Sequence, residues 1–593
     1  MTGLLDYDLF SRAAPHSLTD LPFDMNPTAA HRRNINRLFK IRNRFGGAYA
    51  AEKLDLLDSL EMVEARSCSQ LKRLHATLCF VRAFPDTRAH YRQAQLQLET
   101  FNDRVEKFPA ALRSGLWDSG IVGTPIHYAF SFEVARWLAS RAANYVSIDW
   151  DEIEDTSRLD ELLVHLLLAS EEDYFDSGFV SSEEWINLVA SGTEGTDFDW
   201  LFAQLRERRF APIWSALYDA AEVPLRWDLR EPTLSNTNNV VPAHKIRPRG
   251  NGMRKRVSAA KKEIMRPLDS LQRLSPQSGS RLIDVAMTSL AVRHRETKHF
   301  NCANPKEVYL ADVGEGVSIA VFGLHEKDRY PLETTMGYLI LSNGVPVGYG
   351  GGSALFRQVN TGINLFDEYR GSEAAFLWTQ VMRVYRELFG CTRFIINAYQ
   401  FGSENSEALE SGAFWFHYRL GYRPVLPAVR ALAQRESIRV RRDKTYRSNN
   451  DTLRCLVICD MHLTLPGARA SDLFDEQWLE TSSMLATREL AATGGLTRAD
   501  SADRVASQLA HELRMRSVNT WSTSERRGLR RLAPIVAATK PATWPVDAKR
   551  SMRQLLRAKG GPFEVKYARL LCEHDQFLST LRKRCQSPTT RVL

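Results

Sequence analysis

The chain is predicted to be a helix-rich α+β, multidomain protein, with a mixed α/β sheet domain between helical N- and C-terminal regions. Three observations carry this expectation. Apolar residues recur at helical spacing from His31 to about Asp228, and again from about Ala470 onward. Between them, Gly337 to Cys459 holds a hairpin signal, an alternating strand run, a short apolar run and two helix patterns. A stretch rich in Pro, Asn, Ser and Gly, EPTLSNTNNVVPAHKIRPRGNG, separates the first region from the second. The expected organisation is a loosely ordered 1–30, a helical domain 31–230, a basic linker 231–280, a sheet domain 281–465 and a helical region 466–593.

In the first helical region, Leu54, Leu57, Leu60, Met62 and Val63 begin a pattern that continues through Leu71 to Phe84. Ser157 with Asp160 and Glu161 reads as a capped helix start ahead of Leu162-Leu163 and Leu166-Leu167. Trp185, Trp200 and Trp214 fall on apolar faces, and the absence of a fixed-period repeat favours a bundle over a solenoid. The linker composition implies a solvated, mobile connector. Within it, MRKRVSAAKKEIMRPLDSLQRL has the makings of a short helix.

The formal net charge is +9, and Lys245 to Arg273 alone has ten Lys/Arg against Glu263 and Asp269. The rest of the chain is close to balanced, which excludes a generally basic nucleic-acid-binding surface. A contact of this one segment with nucleic acid, an acidic partner or an anionic cofactor is the sharper alternative to a solvated connector. No apolar run approaches the ~20 residues of a membrane span. The start, MTGLLDYDLFSRAAPHS, has Asp6 and Asp8 and neither a basic leader nor an apolar core, so it does not read as a signal peptide. Eight cysteines in 593 residues are too sparse for a disulfide scaffold and point to a reducing, cytoplasmic location. If LRCLVIC is a strand, Cys455 and Cys459 share a face ~13 Å apart, too far to bridge. His294, His299 and Cys302 lack a further partner for a closed metal site, so no metal is expected.

The sheet domain opens with RLIDVAMTSLAVRHRE, a helix pattern, and Val317–Val321, a strand. Asp312-Val313-Gly314-Glu315-Gly316 reads as a turn, because no helix pattern follows it as it would a phosphate loop. In MGYLILSNGVPVGYGGG, Asn343-Gly344 is the two-residue type I′ hairpin signal, and Pro346 suggests that the second arm is exposed at an edge. Val359, Thr361, Ile363 and Leu365 then alternate with Asn360, Gly362 and Asn364. The turn Tyr369-Arg370-Gly371 leads to a helix from Ser372, with Leu377, Val381, Val384 and Leu388 on one face and Gly390 as its stop. Phe394-Ile395-Ile396 reads as a buried strand, and Glu404 to Leu420 as another helix ended by Gly421. Strand–helix–strand order favours parallel neighbours, and the helix N-terminus behind the glycine turn favours an anion.

This order, over about Gly337 to Cys459, resembles the acetyl-CoA-dependent GNAT acyltransferase superfamily. The resemblance implies that two neighbouring parallel strands splay to admit the pantetheine arm of CoA. The pyrophosphate would lie on the turn Glu368-Tyr369-Arg370-Gly371-Ser372-Glu373. Gly371 matches the first glycine of the family's Q/R-x-x-G-x-G/A pattern, while Glu368 and Glu373 stand where Gln or Arg, and Gly or Ala, are usual. Asn364, Leu365, Phe366, Arg370, Gly371, Ser372 and Asn405 are the implied binders of acetyl-CoA or another acyl-CoA. Asn405 and Ala408 have the family's N-x-x-A spacing, with Glu410 and Ala413 as the other assignment. Gly421-Tyr422 matches the Gly-Phe pair, and by register His417, with Tyr418 beside it, takes the place of the acid that protonates the thiolate.

The implied activity is acyl transfer from acyl-CoA to an amine acceptor that the sequence does not identify, with the helical regions presenting it. Candidate catalytic residues are His417, Tyr418 and Glu368, with Asp367 and Glu373 as other carboxylates for the base. The aromatic run FWFHYRLGY also suits core packing, and Asn360 and Asn364 suit either a cleft or a solvent-facing strand side. The alternative function is a non-catalytic GNAT-like module in a helical scaffold that binds a macromolecular partner.

Overall fold

The computed structural model describes residues 29–61, 67–206, 211–243, 245–443 and 445–587. The expected disorder of the first thirty residues falls almost wholly outside these, as do Met62 and Val63. The fold is helix-rich α+β: a helical N-terminal region, a central mixed ten-stranded sheet with helices, and a helical C-terminal region. No helix among the described residues is long and apolar enough to cross a membrane.

The N-terminal region is not all helical. Beside helices such as α1 (Cys68–Ala83) it holds a small antiparallel sheet of β1 (Pro125–Tyr128), β2 (Val146–Ile148) and β3 (Leu225–Asp228), in the order β1-β3-β2. Strands of three or four residues are too short to display a period. The apolar side chains of this region and of the central sheet form one continuous core.

The central sheet comprises β4 (Ser270–Arg273), β5 (Ala303–Gly314), β6 (Val317–Leu324), β7 (Thr334–Ser342), β8 (Val345–Leu355), β9 (Gln358–Thr361), β10 (Asn364–Leu365), β11 (Arg393–Ile396), β12 (Arg423–Pro424) and β13 (Met461–Thr464). Their order is β12-β13-β11-β9-β8-β7-β6-β5-β4, with β10 also pairing β8. Only β9 and β11 are parallel; every other pairing is antiparallel. Around the sheet lie α2 (Pro276–Ala291), α3 (Ala374–Phe389) and α4 (Ala413–Arg419), and the C-terminal region contributes α5 (Gln477–Ala492) and α6 (Glu564–Cys572).

Local chemistry explains the turns. Asn343 and Gly344 have φ of 48° and 82°, as a type I′ hairpin requires. Asn343 is buried, and its Nδ2 donates to Ala83 O at 3.0 Å, so the β7–β8 hairpin docks on the end of α1. Glu315-Gly316 forms the tight turn between β5 and β6. Gly390 ends α3 in the left-handed conformation, φ 73°.

Several expectations are corrected. Pro346 is not on an edge: β8 is buried throughout, and Pro346 falls beside a register irregularity opposite Leu341. Glu404 to Leu420 forms two helices, Ser406–Glu410 and α4, separated by Gly412 at φ 69°. LRCLVIC is not a strand, because Asn449 caps a helix at Asn450–Leu456 by accepting from Thr452 N at 2.9 Å, and β13 follows later. Cys455 is therefore exposed on that helix, and all eight cysteines are free thiols. The supposed mobile connector is packed: Ser235, Thr237, Asn239 and Arg249 are buried, Ala260–Met265 is a helix and β4 joins the sheet. Side-chain partners from other elements replace the water that its polar composition seemed to demand.

The C-terminal helices have a core of their own, into which the sheet inserts Leu332, Leu355 and Phe356. A buried charge network joins the two units. Arg329 Nη2 donates to Glu307 on β5 at 3.0 Å, and Arg329 also lies 3.5 Å from Glu564 on α6. Lys559 pairs with Glu564 at 2.9 Å. Burial pushes the Glu307 carboxyl up to about 8, although Arg329 opposes the shift.

Candidate functional site

Buried or half-buried acids occupy two places in the β9–α3–β11 unit. At the first, the chain leaves β10, passes a short 3₁₀ turn at Asp367–Tyr369 and reaches α3 through Gly371, whose φ of 84° is left-handed. Glu373 is the N-cap of α3 and its side chain is fully buried. Its carboxylate lies 3.2 Å from Arg249 Nε and accepts from the backbone N–H of Arg254 at 2.8 Å. A negative charge is thus present at the helix start, although this side chain caps none of the helix N–H groups. Arg249, only 3% exposed, is held in turn by donating to Arg247 O at 2.8 Å. The Arg254 guanidinium lies over the Phe376 ring at 4.2 Å.

The other residues of this turn are also engaged. Arg370 pairs with Asp367 at 2.9 Å and with Glu407 at 2.7 Å. Glu368 accepts from Arg293 Nη2 at 3.1 Å. Burial works to raise its pKa, yet Arg293, a backbone N–H and His75 together hold it below the ordinary carboxylate value. A depressed carboxylate is a weak base. Phe366 is buried, stacks on Tyr349 at 5.4 Å and lies beneath the Arg293 guanidinium. Asn364 and Leu365 pair with Tyr349 and Gly348 as β10. Ser372 is buried and its hydroxyl has no hydrogen-bond partner. Asn405 caps its own short helix, accepting from Ala408 N at 3.0 Å. As arranged, Arg370 and Arg249 are both bound to carboxylates, so these residues do not fit a diphosphate.

His417 and Tyr418 lie on α4 in aromatic surroundings. The His417 ring is 4.9 Å from Phe416, 5.7 Å from Tyr422 and 6.4 Å from both Trp378 and Phe401. Burial pushes its pKa down to about 3, so it is neutral near pH 7, and its Nδ1 is buried without a partner. Tyr418 stacks on Phe414 and carries the Arg423 guanidinium 4.1 Å over its ring. The fold does not gather His417, Glu368 and Asn405 around a shared reacting atom: each has its own separate partners.

At the second place, the parallel ladder stops early. β9 and β11 pair at Gln358↔Arg393, Val359↔Phe394 and Asn360↔Ile395. Beyond that, Thr361 pairs with Gly352 on β8, and Ile396 with Met461 on β13. Each strand ends at that residue, so their parallel ladder closes at Asn360↔Ile395, at the carboxyl ends where open parallel sheets seat ligands. Gln400 packs so close to Gly362, just after β9, that a Cβ there would meet its Oε1 at 2.6 Å.

Glu476 meets the end of this ladder at Asn360. It is the N-cap of α5, and its Oε1 accepts from Asn360 Nδ2 at 2.6 Å. Burial, reinforced by Asp460, pushes its pKa up to about 7 against the opposing Asn360 hydrogen bond. Burial likewise raises Asp460, whose Oδ1 accepts from Ala398 N at 2.8 Å. Glu333 is pushed up to about 7 by burial and by Glu476, with Lys559 opposing. A carboxyl that titrates near 7 can both take and give a proton at neutral pH. Sequence reasoning missed Glu476 because it lies 116 residues from Asn360, and DEQW reads simply as acids at a helix start. Among the described residues, no group of three or more His, Cys, Asp or Glu is placed to hold a metal. No family model, curated protein or solved structure matches the chain.

Proposed function

We propose that the central domain is a GNAT-like module that serves as the rigid centre of a helical scaffold and binds an acidic macromolecular partner without acyl transfer. The observation that carries this reading is Glu373. It stands where the resemblance expects Gly or Ala beside the pyrophosphate, and puts a buried carboxylate, paired with Arg249, at the start of α3. Two features support a scaffold. The N-terminal region shares its core with the sheet, and the buried Arg329–Glu307–Glu564–Lys559 network locks the C-terminal region onto it. For the partner, Lys255, Arg256, Lys261 and Lys262 are exposed and make no ion pair among the described residues, whereas Arg249 and Arg266 are paired with acids.

Melting temperature in the presence of acetyl-CoA tests the module reading, because a ligand that binds only the native state stabilises it. No shift is expected at about 1 mM. A concentration-dependent rise would sink this reading. For the partner, the wild type should be retained on immobilised nucleic acid or another polyanion at low salt. A variant with Lys255, Arg256, Lys261 and Lys262 changed to Gln should elute earlier.

A second reading, acyl transfer to an amine, is favoured by Glu476. A carboxyl raised to about 7 by burial and hydrogen-bonded to Asn360, at the end of the parallel ladder, suits removal of a proton from an attacking amine. The amine nitrogen would bond to the thioester carbonyl carbon, the carbon–sulfur bond would break and the amine proton would pass to Glu476. Thiol release from acetyl-CoA in the presence of primary amines, abolished in Glu476→Gln, is the result that would establish it.

A further inference from the structure

Between α2 and the helix Lys298–Asn301, the loop Arg293-His294-Arg295-Glu296 touches both the sheet domain and the N-terminal region. It holds the sheet side by arginine: Arg293 donates to Glu368 at 3.1 Å and Arg295 to the Tyr349 hydroxyl at 3.2 Å. A guanidinium keeps its charge at any working pH. The loop holds the N-terminal side by groups that titrate. Glu296 accepts from Ser131 N at 2.9 Å. His294 stacks flat on Tyr128 of β1, with 5.0 Å between ring centres, and its Nε2 lies 3.4 Å from Asp118 Oδ1.

Asp118 is shared between two rings. The same Oδ1 accepts from the backbone N–H of His127 at 2.7 Å and lies 3.5 Å from His127 Nδ1. The other nitrogen of that ring, Nε2, is 3.9 Å from Asp149 Oδ2. Imidazoles and carboxylates therefore alternate along one row, His294–Asp118–His127–Asp149. Asp118 and His294 have φ of 60° and 55°, left-handed values that are uncommon outside glycine and persist only where the surroundings fix them. No Lys or Arg forms an ion pair with Asp118 or Asp149 among the described residues. Arg226, opposite His127 on β3, lies 3.3 Å from Asp228, so its charge is shared. The other charges that face the row or its loop are Asp151, near Asp149, and Asp219, near Glu296. With both rings neutral the row keeps its two negative charges uncompensated, and with both protonated it is neutral.

We propose that this row is a pH-sensitive joint between β1 and the 293–296 loop, tight while its histidines carry protons and loose once they have lost them. The proposal stands apart from both readings of the function, since the groups that titrate belong to neither. The Asp118 carboxylate holds the His127 imidazolium above the ordinary 6.5 against the effect of burial. The pair's contribution is therefore complete below pH 6.5 and is lost as pH rises through the higher folded value. Burial works to raise Asp118, yet the two imidazoles hold it well below the carboxylate range, so the row survives mild acid. Burial raises both Asp149 and Glu296, whose ionisation likewise disfavours the joint as pH rises. The shared apolar core keeps the two regions together throughout, so what opens is this joint alone.

Hydrogen exchange of the full chain, corrected for the intrinsic effect of pH, reads the joint at about pH 6 and about pH 8. Amides of 117–128 and 292–297 should exchange about tenfold more slowly at the lower pH. His127→Gln and His294→Asn remove the titrating rings, and asparagine accepts the left-handed backbone at 294. Each should reduce the difference, and together they should abolish it, while the pH response of the C-terminal helices stays that of the wild type. Trp117 gives a second readout, because its ring centre lies 4.8 Å from that of His127 and an imidazolium quenches indole fluorescence. The emission lost in Trp117→Phe should rise with a midpoint above pH 6.5. Equal exchange at the two pH values in the wild type overturns the proposal. So does a difference that survives in the double variant, or a Trp117 emission that does not change with pH.

Discussion

Glu373 and Glu476 pose the same physical problem at two places in one strand–helix–strand unit, and the protein answers it in two ways. Each is a carboxylate at the N-cap of a long helix, drawn from water into the protein. Glu373 is fully buried beside a guanidinium and a backbone donor. Glu476 has a neutral amide as its hydrogen-bond partner and two further acids, Asp460 and Glu333, close enough to shift its titration or be shifted by it. The first arrangement is a completed structural joint. In the second, burial and the neighbouring Asp460 push the carboxyl up to about 7, so its ionisation near neutral pH costs stability. The resemblance directs attention to both the helix start and the strand ends; the acid at the first has a cation as its partner, and the acid beside the second has a neutral amide.

Breaking the joint should have the largest effect. Arg249→Met leaves Glu373 buried without its cation and should cost about 3–5 kcal/mol in chemical denaturation. The double variant Arg249→Met/Glu373→Gln should recover most of that loss. If the single variant is nearly neutral, Glu373 is not a structural anion, and the contrast with Glu476 collapses.

The next effect is expected at Glu476 and depends on pH. Its folded pKa of about 7 lies above the ordinary 4.5. Its stabilising contribution is therefore complete below pH 4.5 and is lost as pH rises through about 7. Glu333 titrates in the same window, so the loss belongs to the pair. Glu476→Gln should stabilise the protein at pH 8 by up to about 3 kcal/mol and have little effect at pH 4. Melting curves at the two pH values decide the matter, since an unchanged pH dependence would show that Glu476 is not the titrating group.

The smallest effect should come from Arg370, the basic residue at the crown of the turn. It is 58% exposed, and its partners Asp367 and Glu407 are 70% and 73% exposed. Arg370→Ala should cost no more than about 1 kcal/mol, less at high salt. A larger loss would mean that the turn depends on Arg370 as well as on Arg249.

Much of the local structure was legible without coordinates. Asn343-Gly344 announced its hairpin because only a few residues tolerate positive φ, and Gly390 announced the end of α3 for the same reason. The apolar face of α3 and the buried run at β11 were legible from spacing and hydrophobicity. The misread elements are those in which a long-range partner overrides composition. The 231–252 stretch has linker chemistry, yet Asn239 and Arg249 find partners on α2 and α3. The apolar LRCLVIC has strand chemistry, yet Asn449 caps it as a helix. The site residues divide in the same way. Arg370 and Gly371 were visible in the turn pattern, whereas Arg249, Asp460 and Glu476 belong to segments that nothing local connects to it.

The sequence by itself determined the α+β class, the β7–β8 hairpin, the course of α3 and β11, and the glycine turn ahead of α3, because these follow from short-range sterics and from the period of apolar residues. Only the tertiary structure decided what that turn holds and where a titratable group is left unspent. Charge pairing and desolvation depend on which groups meet in space. Glu373 meets Arg249 across 124 residues, and Glu476 meets Asn360 across 116.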